Sequence, residues 1–148
     1  MNHNYNNVLG ENYLVCSSKL QRVYMQICTN AVKDYSFTSC EIAILLFLDN
    51  NKPLDTAKDI TEYRGISKGL VCKNVDSLIN KGYLNSKVDE NDKRYIHLSI
   101  TEKADDILQK LRTARKSFFS QLFNNVSDEE IALLKSVPSI MMNNFDVK

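Results

Sequence analysis

The stretch between residues 56 and 100 constrains the fold most, because its hydrophobic period changes from helical to alternating within a short span, and Gly65 breaks its helical part in two. Thr56-Ala-Lys-Asp59 reads as a helix N-terminus, its acidic third residue favouring the positive end of the helix dipole. Gly65 follows Tyr63-Arg64 and can adopt the left-handed geometry that ends helices. Ser67 can cap a new helix at once, predicted over about 68–80, with Leu70, Val71, Val75, Leu78 and Ile79 as the inward stripe and Lys81-Gly82 as the end. Two helices joined by a tight glycine turn make a helix-turn-helix unit.

Two strand-length patterns follow at 83–88 and 95–100, separated by the polar loop DENDKR. In the second, Ile96, Leu98 and Ile100 share one face while Tyr95, His97 and Ser99 share the other, the period of a half-buried strand. A hairpin directly after a helix-turn-helix makes a winged helix, with DENDKR as the wing tip.

The flanks are helical. Apolar residues at 13, 16, 20, 23, 24, 27 and 31 form one stripe of a long amphipathic helix. Thr38-Ser-Cys-Glu41 reads as a capping box for a second helix, whose IAILLFL must be nearly encircled by protein before Asn50-Asn-Lys-Pro53 ends it. After Thr101, Ala104, Ile107, Leu108, Leu111, Phe118, Phe119 and Leu122 recur near coiled-coil spacing. Ser127-Asp-Glu-Glu130 caps a last helix carrying Ile131, Leu134, Val137, Met141 and Phe145, which Pro138 should kink. The two ends carry more apolar surface than a winged-helix core requires, so an intertwined helical dimer interface is predicted. The predicted fold class is mainly α with a small β-hairpin wing: one domain over 1–148, with dimerisation helices at about 10–36 and 102–146. The winged helix-turn-helix lies between them at about 38–100, its helix-turn-helix at about 56–80 and its wing at about 83–100. Residues 1–7, Val147 and Lys148 lack periodicity and are predicted loose.

Composition narrows the chemistry. At 148 residues, 43% hydrophobic and 25% charged, the chain has the makeup of one ordinary globular domain. Its longest apolar run, 42–48, is far too short to cross a bilayer, and no basic-then-apolar leader is visible. Cysteines 16, 28, 40 and 72 stand alone, without a CxxC or a histidine pair, which argues against zinc or disulfides and for a reducing cytoplasm. His3 in a tail and His97 in a strand have no spacing for a metal site. No cofactor is implied. There is no glycine-rich phosphate loop and no nucleophile, histidine and acid set, and Asp89, Glu90 and Asp92 share one loop, so an enzyme is not predicted.

Net charge is only +1, so any case for nucleic acid rests on where the charges lie. From Arg64 to Lys87, five bases (Arg64, Lys68, Lys73, Lys81, Lys87) face one acid, Asp76, a local +4. Away from the apolar stripe the second helix of the turn unit presents Lys68, Gly69, Cys72, Lys73, Asn74 and Ser77. Lysine can bond guanine edges or phosphates and asparagine can bond adenine bidentately, while Ser67 and the open first-turn amides suit a phosphate oxygen. In the wing, Asp92 can pair with Arg94 and aim the guanidinium into a narrow minor groove, with Lys93 on phosphate and Asp89 and Glu90 simply solvated.

The segments TAKDITEYRGISKGLVCKNVDSLINKGYL, DENDKR and HLSITEKA resemble the multiple-antibiotic-resistance regulator (MarR) family of bacterial transcription factors, over roughly 38–108. VDSLINKGYL matches a characteristic step of that family, and Asp92 and Arg94 match its Asp-x-Arg wing. Ile100-Thr-Glu-Lys-Ala104 departs mildly from the family's Leu-Thr-Glu-x-Gly. The resemblance implies a homodimer on a pseudo-palindromic double-stranded DNA operator, one recognition helix per half-site. It also implies that the protein represses, and that a small-molecule inducer releases it from DNA by binding between the dimerisation and DNA-binding regions. One branch of the family senses hydroperoxides through a cysteine near the start of the first helix. Cys16, with Tyr24 as prospective neighbour, is the candidate here, although it falls on the apolar stripe with only Lys19 as a nearby cation. Packing is the default for Cys16, Cys28 and Cys40, whereas Cys72 is placed where alkylation would disturb DNA binding. The alternative from another class is a winged-helix protein-interaction module, which has no need of the basic segment or the wing-tip arginine.

Overall fold

The computed structural model of the chain describes residues 3–145, with side chains described from residue 8. In order, α1 (His3–Ala31), a 3-10 turn (Lys33–Tyr35), α2 (Ser39–Asn50), α3 (Ala57–Arg64) and α4 (Lys68–Asn80) precede β1 (Leu84–Val88) and β2 (Ile96–Ile100). A second 3-10 turn (Glu102–Ala104), α5 (Asp105–Leu122) and α6 (Asp128–Asn143) complete the chain. It divides into two compact units, 1–115 and 116–148.

In the first unit, α2 is the axle. Every residue from Glu41 to Leu48 is buried, and around them pack Cys28, Val32, Ile60, Val71, Val75, Leu78, Leu84, Leu98, Ile107 and Leu111. Each fully buried Ile, Leu or Phe contributes roughly 1.5–3 kcal/mol of transfer free energy, so the hydrophobic centre of IAILLFL positions everything else. A capping box of Thr38 and Glu41 starts α2, as its spacing suggests, and a second, of Thr56 and Asp59, starts α3, where the sequence pointed only to an acid at the helix dipole. Gly65 ends α3 with φ of 64° and donates its N–H to the Thr61 carbonyl at 2.9 Å. Only glycine takes that left-handed conformation without strain, and the next helix begins three residues later.

β1 and β2 pair antiparallel, Leu84 opposite Ile100 and Val88 opposite Ile96. The extended segment before α3 joins them: the Leu98 N–H donates to the Asp55 carbonyl at 2.8 Å, and Thr56 bridges to His97. The wing is thereby fastened to the start of the helix-turn-helix.

Several expectations are corrected. Residues 3–7 are helical rather than loose, because extending a formed helix adds a hydrogen bond per residue without a new nucleation cost. Val147, Lys148, Met1 and Asn2 lie outside the described residues. Leu70 points outward with 46% exposure instead of joining the inward stripe, and Ile96, near the wing end of β2, is 49% exposed because the core does not reach that far. Cys16 is exposed rather than packed. Each strand is one residue shorter than predicted, since Tyr83 belongs to the turn after α4 and Tyr95 closes the wing loop by donating to the Asp92 carbonyl.

In the second unit α6 starts on a capping box of Ser127 and Glu130 and continues with Pro138 inside it. Phe119 packs edge-on to Phe118 and stacks on Phe123. Leu133, Leu134, Ile140, Met142 and Phe145 remain more than half exposed.

Candidate nucleic-acid interface

The orientation of α4 is fixed by a buried carboxylate. Glu41 is inaccessible to solvent and accepts three hydrogen bonds, from the Thr38 N–H (2.8 Å), the Ser77 hydroxyl (2.7 Å) and the Lys81 ammonium (2.7 Å). Burial opposes its charge, but Lys81, the Thr38 amide and Ser77 outweigh that and hold it below the ordinary carboxylate range. The Thr38 hydroxyl donates to Asn74 Oδ1 at 2.8 Å, and Asn74 Nδ2 donates to the Leu70 carbonyl at 2.8 Å. The N-terminus of α2 thus grips α4 at Asn74, Ser77 and Lys81.

This node corrects two sequence-based placements. Asn74 is 7% exposed with both ends of its amide engaged inside the protein, so it does not stand on the outer face as an adenine reader. Ser77 is half-buried with its proton directed to Glu41. The local +4 is also thinner than the sequence suggests. Arg64 turns to the Ala43 carbonyl, Lys81 is neutralised by Glu41, and Lys87 pairs with Glu90 at 2.8 Å. Lys68 and Lys73 stand exposed on the outer face of α4, with Gly69 and Leu70 between them and Cys72 half-buried beside them. Ser67 occupies the N-cap position, and its side chain makes no cap hydrogen bond.

At the wing tip, Asp92 takes Arg94 in a fork, Nε to Oδ1 at 3.0 Å and Nη2 to Oδ2 at 2.7 Å, while also accepting the Arg94 N–H. The Arg94 side chain is 86% exposed, and its pairing holds Asp92 below and Arg94 above their ordinary values. Lys93 is exposed beside it. Asp92 orients Arg94 as the pattern D-K-R suggests.

Sequence reasoning missed Asp89, taken there for a solvated charge. Its Oδ1 accepts the N–H groups of Asn91 and Asp92, each at 2.8 Å, and its Oδ2 lies 3.0 Å from His97 Nε2. The Asp92 amide, then His97 and the Asn91 amide, pull its pKa down to about 2. His97 Nδ1 lies 2.7 Å from Asp55, and Asp55 first, Asp89 second, raise the imidazole's pKa. The available signal was an aspartate whose side chain can bond the backbone two and three residues on, an Asx turn. Glu41 was read as a cap and not as the anchor of α4, because its partners lie far along the chain.

Tyr24 hydrogen-bonds Cys28, not Cys16; burial raises the Cys28 thiol and pushes Tyr24 up to about 12. Among the described residues no cluster of three or more His, Cys, Asp or Glu side chains could hold a metal ion, and no helix is long and apolar enough to cross a membrane.

A family model described as the MarR family matches residues 34–94, which contain α2, the helix-turn-helix, β1 and the wing tip. The chain is similar to the HTH-type transcriptional regulator SarZ of Staphylococcus epidermidis, 25% identical over 134 residues that cover 90% of this chain and 86% of SarZ. It is also similar to the HTH-type transcriptional regulator YpoP of Bacillus subtilis, itself described as uncharacterised, at 28% identity over 120 residues, 78% of this chain and 82% of YpoP. Among solved structures, a MarR transcriptional regulator from Methanosarcina mazei Go1 superposes with a TM-score of 0.72 at 21% identity, covering 90% of this chain and 96% of that one.

Proposed function

Because the chain belongs to the MarR family of winged helix-turn-helix transcriptional regulators, we propose that it binds double-stranded operator DNA as a homodimer, with α4 in the major groove and the wing in the adjacent minor groove. The observation that carries this reading is the pairing of two exposed cationic elements on one winged helix: Lys68 and Lys73 on α4, and Arg94 held in a fork by Asp92 at the wing tip. Lysine at the start of a recognition helix serves phosphates or guanine edges, and a pre-oriented guanidinium suits the negative potential of a narrow minor groove. Ser67 and the first-turn amides of α4 take a phosphate oxygen, Gly69 permits close approach and Lys93 adds a backbone contact. Asn74 and Ser77 serve indirectly, by setting the angle of α4.

The homodimer reading is supported by the exposed apolar residues on α1 and, separately, in the second unit, which serve as dimerisation helices. Each protomer engages one half of a pseudo-palindrome. The regulator acts as a repressor released by a small molecule. A cavity of about 560 Å³ where Leu48, Asp55, Leu98, Ile100, Leu108 and Arg112 meet is large enough for such an inducer and touches both β2 and α5.

A mobility-shift titration with the DNA flanking its own gene, backed by selection from genomic fragments, tests the reading. Affinity should fall steeply with salt as counterions are displaced, and Arg94→Ala should weaken binding about tenfold, the loss of one charge-assisted contact, without changing the elution volume of the dimer. Absence of salt-dependent binding to every fragment would sink the regulator reading.

A further inference from the structure

Gly69 and Leu70 stand out among the exposed residues in the first turns of α4, which also carry Lys68 and Lys73. Glycine is a poor helix former, and its use inside an element normally answers a need for left-handed backbone or close packing. Neither need exists here: Gly69 has helical backbone, and a Cβ built on it would meet nothing within 4 Å. Nothing inside the protomer requires the missing side chain, and its absence leaves the backbone of α4 open to a close approach from outside. Next to Gly69 in sequence, Leu70 leaves 46% of its surface exposed, roughly 60° round the helix axis from Lys73. Its own carbonyl is held by Asn74, so the backbone that presents the side chain is fixed. The carboxamide that would read adenine is the same Asn74, buried and fully engaged.

The major groove offers one apolar feature, the C5 methyl of thymine. Resting on the DNA-binding reading above, we propose that Leu70 is a specificity-determining residue that packs against a thymine methyl, and that Gly69 lets the backbone of α4 approach the groove closely enough for that contact. The flanking Lys68 and Lys73 supply the charge complementarity that brings this face to DNA and not to an apolar protein partner. The operator half-site then carries a thymine selected by its methyl group and not by a hydrogen bond.

Replacing thymine by deoxyuridine removes that methyl and nothing else. Operator duplexes selected with the full chain are resynthesised with each thymine in turn changed to deoxyuridine and titrated with wild type, Leu70→Ala and Leu70→Met. Burial of one methyl corresponds to roughly a threefold to fivefold change in affinity. At one or more positions per half-site wild type and Leu70→Met should lose that factor, whereas Leu70→Ala, whose melting temperature should match wild type because the side chain is exposed, should bind both duplexes alike. If no position is sensitive in wild type, or Leu70→Ala keeps the same sensitivity, the methyl contact is wrong while operator binding stands. If no duplex is selected at all, the DNA-binding reading falls and the contact with it.

Discussion

At the residue scale, Glu41 shows how one buried charge can serve two tasks. As the third residue of α2 it completes a capping box with Thr38, and the same carboxylate anchors Ser77 of α4 and Lys81 at its end. Glu41→Gln keeps the shape but removes the charge, so Lys81 loses its counterion and one acceptor becomes a donor facing donors. Lys81 is 39% exposed and can turn to solvent, which limits the damage. A loss of about 1–3 kcal/mol is expected, read as a lowered denaturant midpoint at unchanged slope. Because the folded pKa of Glu41 is depressed, its contribution is present above the ordinary glutamate range and disappears as pH falls through the folded value. Wild type should therefore lose stability on acidification more steeply than Glu41→Gln, and parallel pH curves would remove Glu41 from this role. The sequence showed the cap because its parts lie three residues apart. The inward turn of Asn74 and Ser77 was not legible, since their partners Thr38 and Glu41 are 36 residues away and only packing brings them together.

At the element scale, the wing is a hairpin secured near its tip by an imidazole between two carboxylates. Alternation of apolar and polar residues located β2, and the polar run located the tip, because both signals are local. The third strand-like segment, Asp55 and Thr56, was invisible: it borrows its pairing from Leu98 and His97 and has no periodicity of its own. His97 faces Asp55 before α3 and Asp89 in the tip, and across the hairpin it lies opposite Lys87, which is paired with Glu90. The folded pKa of His97 lies above its ordinary value, so its contribution to wing order is fully present below about 6.5 and is lost as pH rises through the folded value. Asp89, held down to about 2, stays charged across that window and is not the titrating group. Amide exchange in the wing loop should accelerate as pH rises from the ordinary histidine range through the folded value of His97, beyond the intrinsic base-catalysed increase. His97→Gln, a neutral hydrogen-bonding replacement, should flatten that extra change; an identical excess in the variant would show that His97 does not clamp the wing.

At the scale of the whole molecule, the unanswered demand is apolar surface. On α1, Val8, Leu9, Leu14 and Val15 are all more than half exposed; in the second unit the same is true of Leu133, Leu134, Ile140 and Met142. A solvated monomer seldom leaves such stretches bare, and a homodimer buries the same patch from both copies. An amphipathic stripe at the N-terminal end and a capping box before apolar residues at the C-terminal end announced these helices, although neither could say which of their apolar residues the protomer itself would cover. Introducing a buried charge tests each stretch independently. Leu14→Glu, at 67% exposure, and Ile140→Glu, at 61%, lie outside the protomer core, so neither should prevent folding of the winged helix. Each should shift sedimentation equilibrium towards monomer by placing an unpaired carboxylate in the interface. Operator affinity should then drop by roughly a hundredfold or more, because the second half-site contact ceases to be intramolecular, and the slope of log affinity against log salt should fall by about half as one protomer's phosphate contacts are lost. Both variants sedimenting as wild type with an undiminished slope would place the dimer interface elsewhere, whereas monomers that keep full affinity would show that one winged helix suffices for the operator.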